Sequence, residues 1–489
     1  MFKKPTKKQF IIRRVILSVI ATVSVAIIVT TAVLFMLGYR INSNDGTLQQ
    51  GALLQFDSRP NNANVYVDGI LVGGRTATKQ AVVAGAHSVT IAKDGYEDWN
   101  HELTVKPGTL TWLNYTRLVP KERKPQAVQR YEALAQIEFS PDYKWAIAHE
   151  TPDSPSFHYI DLRSEQVKSQ TLTLPTSLYS EAEAPDVAHT FTIIRWNTPS
   201  RHVLIKHEYA GKLEWLVLDT HDISRSTNVT RSLNAGFKDI QFAGTNGSSL
   251  YGLTDDGLIR KLDLGAGTMS RAFIAHVNGF RMFSTNILVY TGMHPEKENV
   301  QVAGVYRDGD EASNILREVE GDTPLRIATG EYFGDDYVAI AEDNEVTVLK
   351  GTYPRSQAQS ATASLRQYAV FEVPGTVSEL SFSISGEYII AQVGAQFVSY
   401  DIEYKRVARG VSTEATEGVR PLSWLGAAHL WNDTDGNLTM RDFDGTNTHT
   451  IMRVAPGYDA SLSQNGRFLY AIGETDAGYS LQRVRMILE

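Results

Sequence analysis

The chain has 489 residues, of which 42 % are hydrophobic, 10 % aromatic and none cysteine, with a formal net charge of −8. The absence of cysteine excludes disulfides, thiolate metal sites and cysteine nucleophiles together. The first 14 residues hold six lysines and arginines and no acid, so removing +6 from −8 leaves −14 on residues 15–489; an exterior of that sign argues against nucleic acid or anionic headgroups as bulk-charge partners.

In chain order, residues 1–14 form a short basic tail with Lys3, Lys4, Lys7, Lys8, Arg13 and Arg14. Val15 to Leu37 follows: 23 uncharged residues, mostly Ile, Val, Leu and Ala. At helical rise this spans roughly 34 Å, enough to cross a hydrocarbon core. Ser18, Thr22, Ser24, Thr30 and Thr31 are tolerable there because a hydroxyl bonds back to its own helix. Basic residues precede the span and only Arg40 follows closely, which predicts a cytoplasmic N-terminus and an extracytoplasmic remainder. A cleaved signal peptide is the competing reading. Its apolar region is shorter and ends in a small-residue site, whereas this run closes on Phe35-Met36-Leu37-Gly38-Tyr39-Arg40. The expectation is an uncleaved anchor. Residues 38–50 are polar and read as a tether.

Residues 51–119 read as a compact β module. Leu53, Phe56, Val65 and Val67 are spaced among polar residues as in half-buried strands. Asp68-Gly69 between Val65-Tyr66-Val67 and Ile70-Leu71-Val72 predicts a type I′ hairpin. Strands are expected over Ala86–Ile91, Glu102–Val105 and Leu110–Leu118, with a turn at Asp94-Gly95-Tyr96. Ser58, Pro60, Ala63, the run Val65 to Gly69, Gly74-Arg75-Thr76, Gly85, His87, Val89, Gly95-Tyr96 and Leu118 together resemble the PEGA domain. Ala77 stands where that family has a proline, and the namesake tetrapeptide reads Val83-Ala84-Gly85-Ala86. The resemblance implies a small sandwich used for surface attachment or spacing, with no catalytic residues to carry over. Residues 120–135, with Lys121-Glu122-Arg123-Lys124-Pro125, read as a linker.

Residues 136–489 repeat a strand–turn–strand unit. It is clearest in Phe139-Ser140-Pro141-Asp142-Tyr143-Lys144-Trp145, Phe382-Ser383-Ile384-Ser385-Gly386-Glu387-Tyr388 and Leu462-Ser463-Gln464-Asn465-Gly466-Arg467-Phe468. Weaker copies start near Asn197, Thr245, Ser284, Gly334 and Leu425, and aspartates end strands at Asp161, Asp219, Asp263, Asp401 and Asp442. From Ser140 to Ser463 is 323 residues in seven steps, or about 46 per step, the size of a four-stranded propeller blade. The three clear units resemble those of TolB-like propellers, while the G-H and W-D signatures of WD40 repeats are missing. The predicted fold class is all-β after a single N-terminal transmembrane helix, a small β-sandwich-like PEGA module being followed by a seven- or eight-bladed β-propeller. A row of β-sandwiches is the alternative.

The search for chemistry finds no G-x-S-x-G elbow, no H-E-x-x-H and no G-x-x-x-x-G-K loop. His202 and His207 are the closest histidine pair, and an odd spacing on a strand points them to opposite faces. Asp255-Asp256-Gly257, Asp308-Gly309-Asp310, Asp433-Thr434-Asp435-Gly436-Asn437 and Asp442-Phe443-Asp444-Gly445 read as hairpin turns. The stretch starting at Asp433 approximates a calcium loop, but its glycine falls at position four and Asp444 stands where glutamate belongs. Trp99, Trp112, Tyr115, Trp196, Trp215, Trp424 and Trp431 are expected mainly in cores rather than on a sugar platform.

The expected function is a non-enzymatic, membrane-anchored binding or scaffold protein of the bacterial cell envelope. The membrane is engaged through Val15 to Leu37, an envelope protein or glycan is the partner, and neither a nucleic acid, a cofactor nor a metal is expected. The alternative is a propeller hydrolase or lyase acting on envelope polysaccharide or peptide, which requires carboxylates or a histidine converging at the channel.

Overall fold

The computed structural model describes residues 7–36, 38–41, 48–181, 187–353, 365–415 and 417–488. Lys3, Lys4, Leu37 and residues 42–47 of the expected tether lie outside them. The helix α1 runs Lys7–Met36. It starts ahead of Val15 because lysine, arginine and glutamine continue a helix readily. Its stretch Ile11–Leu34 is long and apolar enough to cross a membrane, and none of it is buried by the rest of the chain. Thr22 Oγ1 donates back to the Ser18 carbonyl at 2.9 Å, so this hydroxyl is satisfied without water.

The chain divides into two compact units, Met1–Glu122 and Arg123–Glu489. In the first, β1 (Tyr39–Ile41) pairs with β2 (Leu48–Phe56), so part of the expected tether is strand. The others are β3 (Asn64–Val67), β4 (Ile70–Arg75), β5 (Thr78–Val83), β6 (Gly85–Ala92), β7 (Trp99–Val105) and β8 (Leu110–Leu113). One sheet is β1-β2-β5 with β8 parallel to β2, and the other is β4-β3-β6-β7. Two short sheets face each other across a common core because each has one apolar face to bury. On β2 that face is Ala52, Leu54 and Phe56, while Leu53 is only half-buried. They meet Val65, Val67, Ile91, Trp99 and Leu103 of the other sheet. The last strand stops at Leu113 rather than Leu118, but Leu118 is buried all the same.

The residues that carried the family resemblance are the polar ties of this module. Asp68 (φ 51°) and Gly69 (φ 76°) both take the left-handed conformation of a type I′ turn. Asp68 Oδ1 accepts from the Ser88 amide at 3.0 Å, its Oδ2 bonds His87 Nδ1 at 2.7 Å, and His87 Nε2 donates to the Val83 carbonyl at 2.7 Å. Burial would raise the Asp68 pKa, but the His87 and Ser88 bonds outweigh it and hold the carboxyl below its ordinary value. Ser58 and Thr76 share a buried hydroxyl bond of 2.7 Å, and Thr76 Oγ1 accepts from the Ala63 amide at 3.0 Å.

Among the described residues, the second unit is a ring of eight four-stranded antiparallel blades. Their inner strands are Gln136–Phe139, His189–Trp196, Asp239–Phe242, Val277–Met282, Leu325–Tyr332, Glu379–Phe382, Ser423–Trp424 and Ser461–Leu462. The first seven blades are continuous in sequence. The eighth takes its outer strand, β9 (Gln126–Tyr131), from the stretch expected as linker; β9 pairs antiparallel with Gly478–Arg485, Tyr131 opposite Tyr479 and Gln126 opposite Arg483. Neighbouring blades share apolar clusters. Ile147 and Phe157 of blade 1 pack with Ile193 and Val203 of blade 2, Leu204 of blade 2 with Ile240 and Leu250 of blade 3, and Ile160 of blade 1 with Tyr470 and Leu481 of blade 8.

All eight repeat starts fall at the turn from a blade's inner strand to its second strand. The repeat has a physical reason. Ser140, Ser383 and Ser463 accept through Oγ from the amides of Trp145, Tyr388 and Phe468 at 2.9, 3.1 and 3.0 Å, and Asn197 Oδ1 does the same for His202 at 2.8 Å. Each acceptor therefore closes its turn on the residue five positions on. The strand-ending aspartates cap the next hairpin: Asp161, Asp219, Asp263 and Asp401 accept from the amides of Arg163, His221, Ala266 and Tyr404 at 2.9 to 3.0 Å. Ser463→Ala removes an acceptor that is 6 % exposed. It is expected to lower stability by about 1–3 kcal/mol, the cost of stranding a buried amide, as read by thermal unfolding, while Ser164→Ala on an exposed loop changes it by less than about 0.5 kcal/mol.

Candidate functional site

The channel is bounded by the eight inner strands, and each of these is the open edge of its sheet. An open edge leaves backbone groups unpaired unless side chains reach them. Here they do so blade to blade. The Gln136 amide clasps Ile193 of blade 2, donating to its carbonyl at 2.6 Å and accepting from its amide at 2.9 Å. Arg326 Nε of blade 5 donates to the Val377 carbonyl ahead of blade 6 at 2.8 Å. Gln392 Oε1 of blade 6 accepts from the Leu422 amide ahead of blade 7 at 2.7 Å. Arg195 of blade 2 pairs with Asp239 of blade 3 at 3.1 Å.

Where blade 8 meets blade 1, the carboxyls of Glu138 and Asp459 lie near enough to perturb each other. Glu138 lies on the first inner strand and also accepts from Gln136 Nε2 at 3.2 Å. Burial, then the charge of Asp459, pushes Glu138 up to about 8. Burial also raises Asp459, against the nearby Arg420. Arg420 is itself paired with Asp433, which accepts from the Gly457 amide at 3.0 Å. Two close carboxyls of raised pKa are the raw material of acid–base chemistry and equally a structural clasp.

Across the channel, blades 2 to 6 enclose a cavity of about 480 Å³. Its charged lining is Lys206, Lys238, Arg281 and Arg326 against Asp239 and Glu379. Its apolar wall includes Trp215 and Phe280, only 3 % and 5 % exposed, so neither offers an open ring face.

A third cluster sits in blade 2. His207, fully buried, lies 3.2 Å from Glu214 Oε2 through Nδ1 and 2.9 Å from His189 Nδ1 through Nε2. Glu214 accepts from the Ser180 hydroxyl at 2.6 Å and amide at 2.9 Å. Burial holds His207 below the usual imidazole value even though Glu214 opposes it. Ser180 bonds the carboxylate rather than the imidazole, so the cluster does not have the serine–histidine contact of a hydrolase triad.

The residues singled out from sequence fall as follows. His202 and His207 share one strand (His202–Tyr209) and part ways, His202 bonding Asn197 at 3.1 Å. The partner of His207 is His189, which sequence spacing does not reveal. The aspartates from 433 to 444 do not converge. Asp433 holds Arg420, Asp435 accepts from Thr413 at 3.0 Å, and Asp444 accepts from the Thr446 amide at 2.9 Å. Asp256 bonds Thr254, and Asp308 pairs with Lys261. Among the described residues no group of three or more histidines and carboxylates gathers as a metal would require. Trp99, Trp196, Trp215 and Trp431 are buried, Trp424 is half-buried with Nε1 donating to Ser381 Oγ at 3.0 Å, and Trp112 is 41 % exposed.

Residues 52–120, the sandwich module, match the PEGA domain family. No curated protein matches the chain. Solved structures of similar fold include the β-propeller domain of Myceliophteria thermophila Cps50 (Swd1), 11 % identical, covering 74 % of this chain and 99 % of that one with a TM-score of 0.41. The Dos1 propeller is 11 % identical, covering 75 % and 96 % with a TM-score of 0.47, and the computationally designed Ika8 protein is 13 % identical, covering 74 % and 99 % with a TM-score of 0.41. The blade count rests on the strand pairing described above, not on these likenesses.

A carboxyl whose folded-state pKa is raised contributes stability that is complete below its unfolded value and lost as pH climbs through the folded one, here from 4.5 toward about 8. Glu138→Gln, which cannot ionise, is therefore expected to unfold at the same temperature as wild type near pH 4 and at a higher one near pH 9, as followed by scanning calorimetry.

Proposed function

We propose that this chain is a membrane-anchored binding and scaffold protein of the bacterial cell envelope, non-enzymatic, holding its propeller outside the cytoplasm for a protein or glycan partner. The single observation that carries the reading is the order of parts in one polypeptide: an apolar helix unburied among the described residues, a PEGA module, and a ring of eight blades. A 24-residue apolar helix exposed on every side is costly in water and favourable in lipid. Lys7, Lys8, Arg13 and Arg14 precede most of it, which supports a cytoplasmic N-terminus. The module supplies spacing, and the ring supplies a rigid frame whose channel-lining side chains vary without disturbing the blades.

With a tag at each end, the full chain is expected to stay in the membrane pellet through an alkaline wash. External protease should remove the C-terminal tag and spare the N-terminal one. A released product lacking the first ~35 residues would make the helix a cleaved signal, and a protected C-terminal tag would reverse the orientation.

One observation favours the second reading, a hydrolase or lyase: the Glu138–Asp459 pair at the channel. Its carboxyls are engaged with each other, with Gln136 and with the field of Arg420, which favours a clasp over a poised acid and base. Incubation of the full chain with envelope polysaccharide is expected to release no new reducing ends. Release that Glu138→Gln abolishes would establish the enzyme instead.

A further inference from the structure

We infer that the cavity between blades 2 and 6 is a binding site for a ligand carrying two or more oxyanion groups, phosphate or carboxylate. The inference deepens the binding reading above and rests on it. Four cationic side chains face two carboxylates in this cavity, in a chain whose overall charge is −8. The local sign is opposite to that of the molecule, and such a concave patch focuses field lines on an incoming anion.

Two of the four cations have no internal partner among the described residues. Lys206 pairs with Glu208 at 3.0 Å and Arg326 gives Nε to the Val377 carbonyl at 2.8 Å, so these two are partly engaged. Among the described residues, no side-chain hydrogen bond or ion pair engages Lys238 or Arg281, and both are exposed to the channel. Arg195 sits beside the cavity, paired with Asp239 at 3.1 Å, its Nε buried without a partner. Burial lowers the Arg195 pKa and Arg281 lowers it further, against the pull of Asp239. Two guanidiniums near enough to repel each other form the arrangement that a bridging anion relieves. Arginine forks match carboxylate and phosphate oxygens two at a time.

The walls narrow the chemistry further. Trp215 spends its Nε1 on the Phe237 carbonyl at 2.7 Å, and with Phe280 it is nearly closed to solvent, so the face on which a neutral sugar stacks is missing from this lining. Asn278 adds an exposed amide beside the cations. The cavity, at about 480 Å³, lies within the range of small-ligand sites. Blades 7, 8 and 1, where Glu138, Asp459 and Asp433 lie, contribute nothing to this lining.

The test uses the full chain in detergent micelles, titrated calorimetrically with pyrophosphate, with citrate, and with glucose as the uncharged control. Binding of either anion, weakened by added salt and weakened about tenfold or more by Arg281→Ala and by Lys238→Ala, is the expected result. Lys168→Ala, on the outer strand of blade 1, should change it less than twofold. Preference for pyrophosphate assigns a phosphorylated ligand, and preference for citrate a carboxylated one. No heat with either anion, equal binding by all three variants, or binding of glucose at the same strength overturns the inference. Such a failure in a chain still anchored and correctly oriented removes the oxyanion site alone, whereas loss of anchoring removes the display reading and leaves the cavity test standing.

Discussion

The ring exists because β9 pairs with the strand Gly478–Arg485. Without that ladder the eighth blade has three strands and an open outer edge, and blades 8 and 1 are joined only by what packs between them. Closing a loop of about 350 residues costs on the order of 5 kcal/mol in chain entropy. Against it stand the bonds of five residue pairs, at about 1 kcal/mol each. Tyr131 and Leu134, 3 % and 6 % exposed, then bury their side chains between the two blades, at about 2 kcal/mol apiece. The backbone bonds roughly cancel the entropy, and the buried side chains decide the outcome. Tyr458 adds a bond from its hydroxyl to the Leu134 carbonyl across the same junction.

Within that closed frame, the repeat fixes turns and leaves the channel free. Serine or asparagine at the first turn and aspartate at the third strand's end satisfy backbone amides that no strand can reach, so they recur. The inner strands carry no such shared demand beyond pairing on one side. They hold glutamate at 138, arginine at 195 and 281, glutamine at 241 and serine at 381 and 461 at comparable places. The result is a channel with two chemical halves: carboxyls of raised pKa where blades 8 and 1 meet, and a cation-rich cavity between blades 2 and 6.

Local chemistry was legible in the sequence and long-range chemistry was not. Asp68-Gly69 announces its hairpin because a type I′ turn asks for those residues at consecutive positions. The small module is legible through its resemblance to a known family rather than through spacing, since its ties Ser58–Thr76 and Asp68–His87 join residues 18 and 19 positions apart. The propeller pitch was readable from Ser140, Ser383 and Ser463. The seven-or-eight ambiguity was resolved only by β9, a strand hidden in a charged, proline-marked stretch that reads as linker. Glu138 and Asp459 come together across 321 positions, and His189, opposite Tyr209 in its hairpin, reaches diagonally to His207. Neither encounter leaves a mark in spacing. On β2 it is Leu54, with Phe56, that faces inward while Leu53 does not, because apolar neighbours on a strand hide which parity is buried.

The seam that closes the ring is also the first part of it that the chain reaches after the small module. Tension transmitted from the N-terminal side therefore loads β9 before any other strand. Pulled along its own axis, β9 shares the load over all five pairs at once; pulled sideways, it peels from the Gln126–Arg483 end, one pair at a time. The same ladder is thus a strong joint in shear and a weak one in peel. The direction of the tug, rather than its size alone, determines whether the circle stays shut.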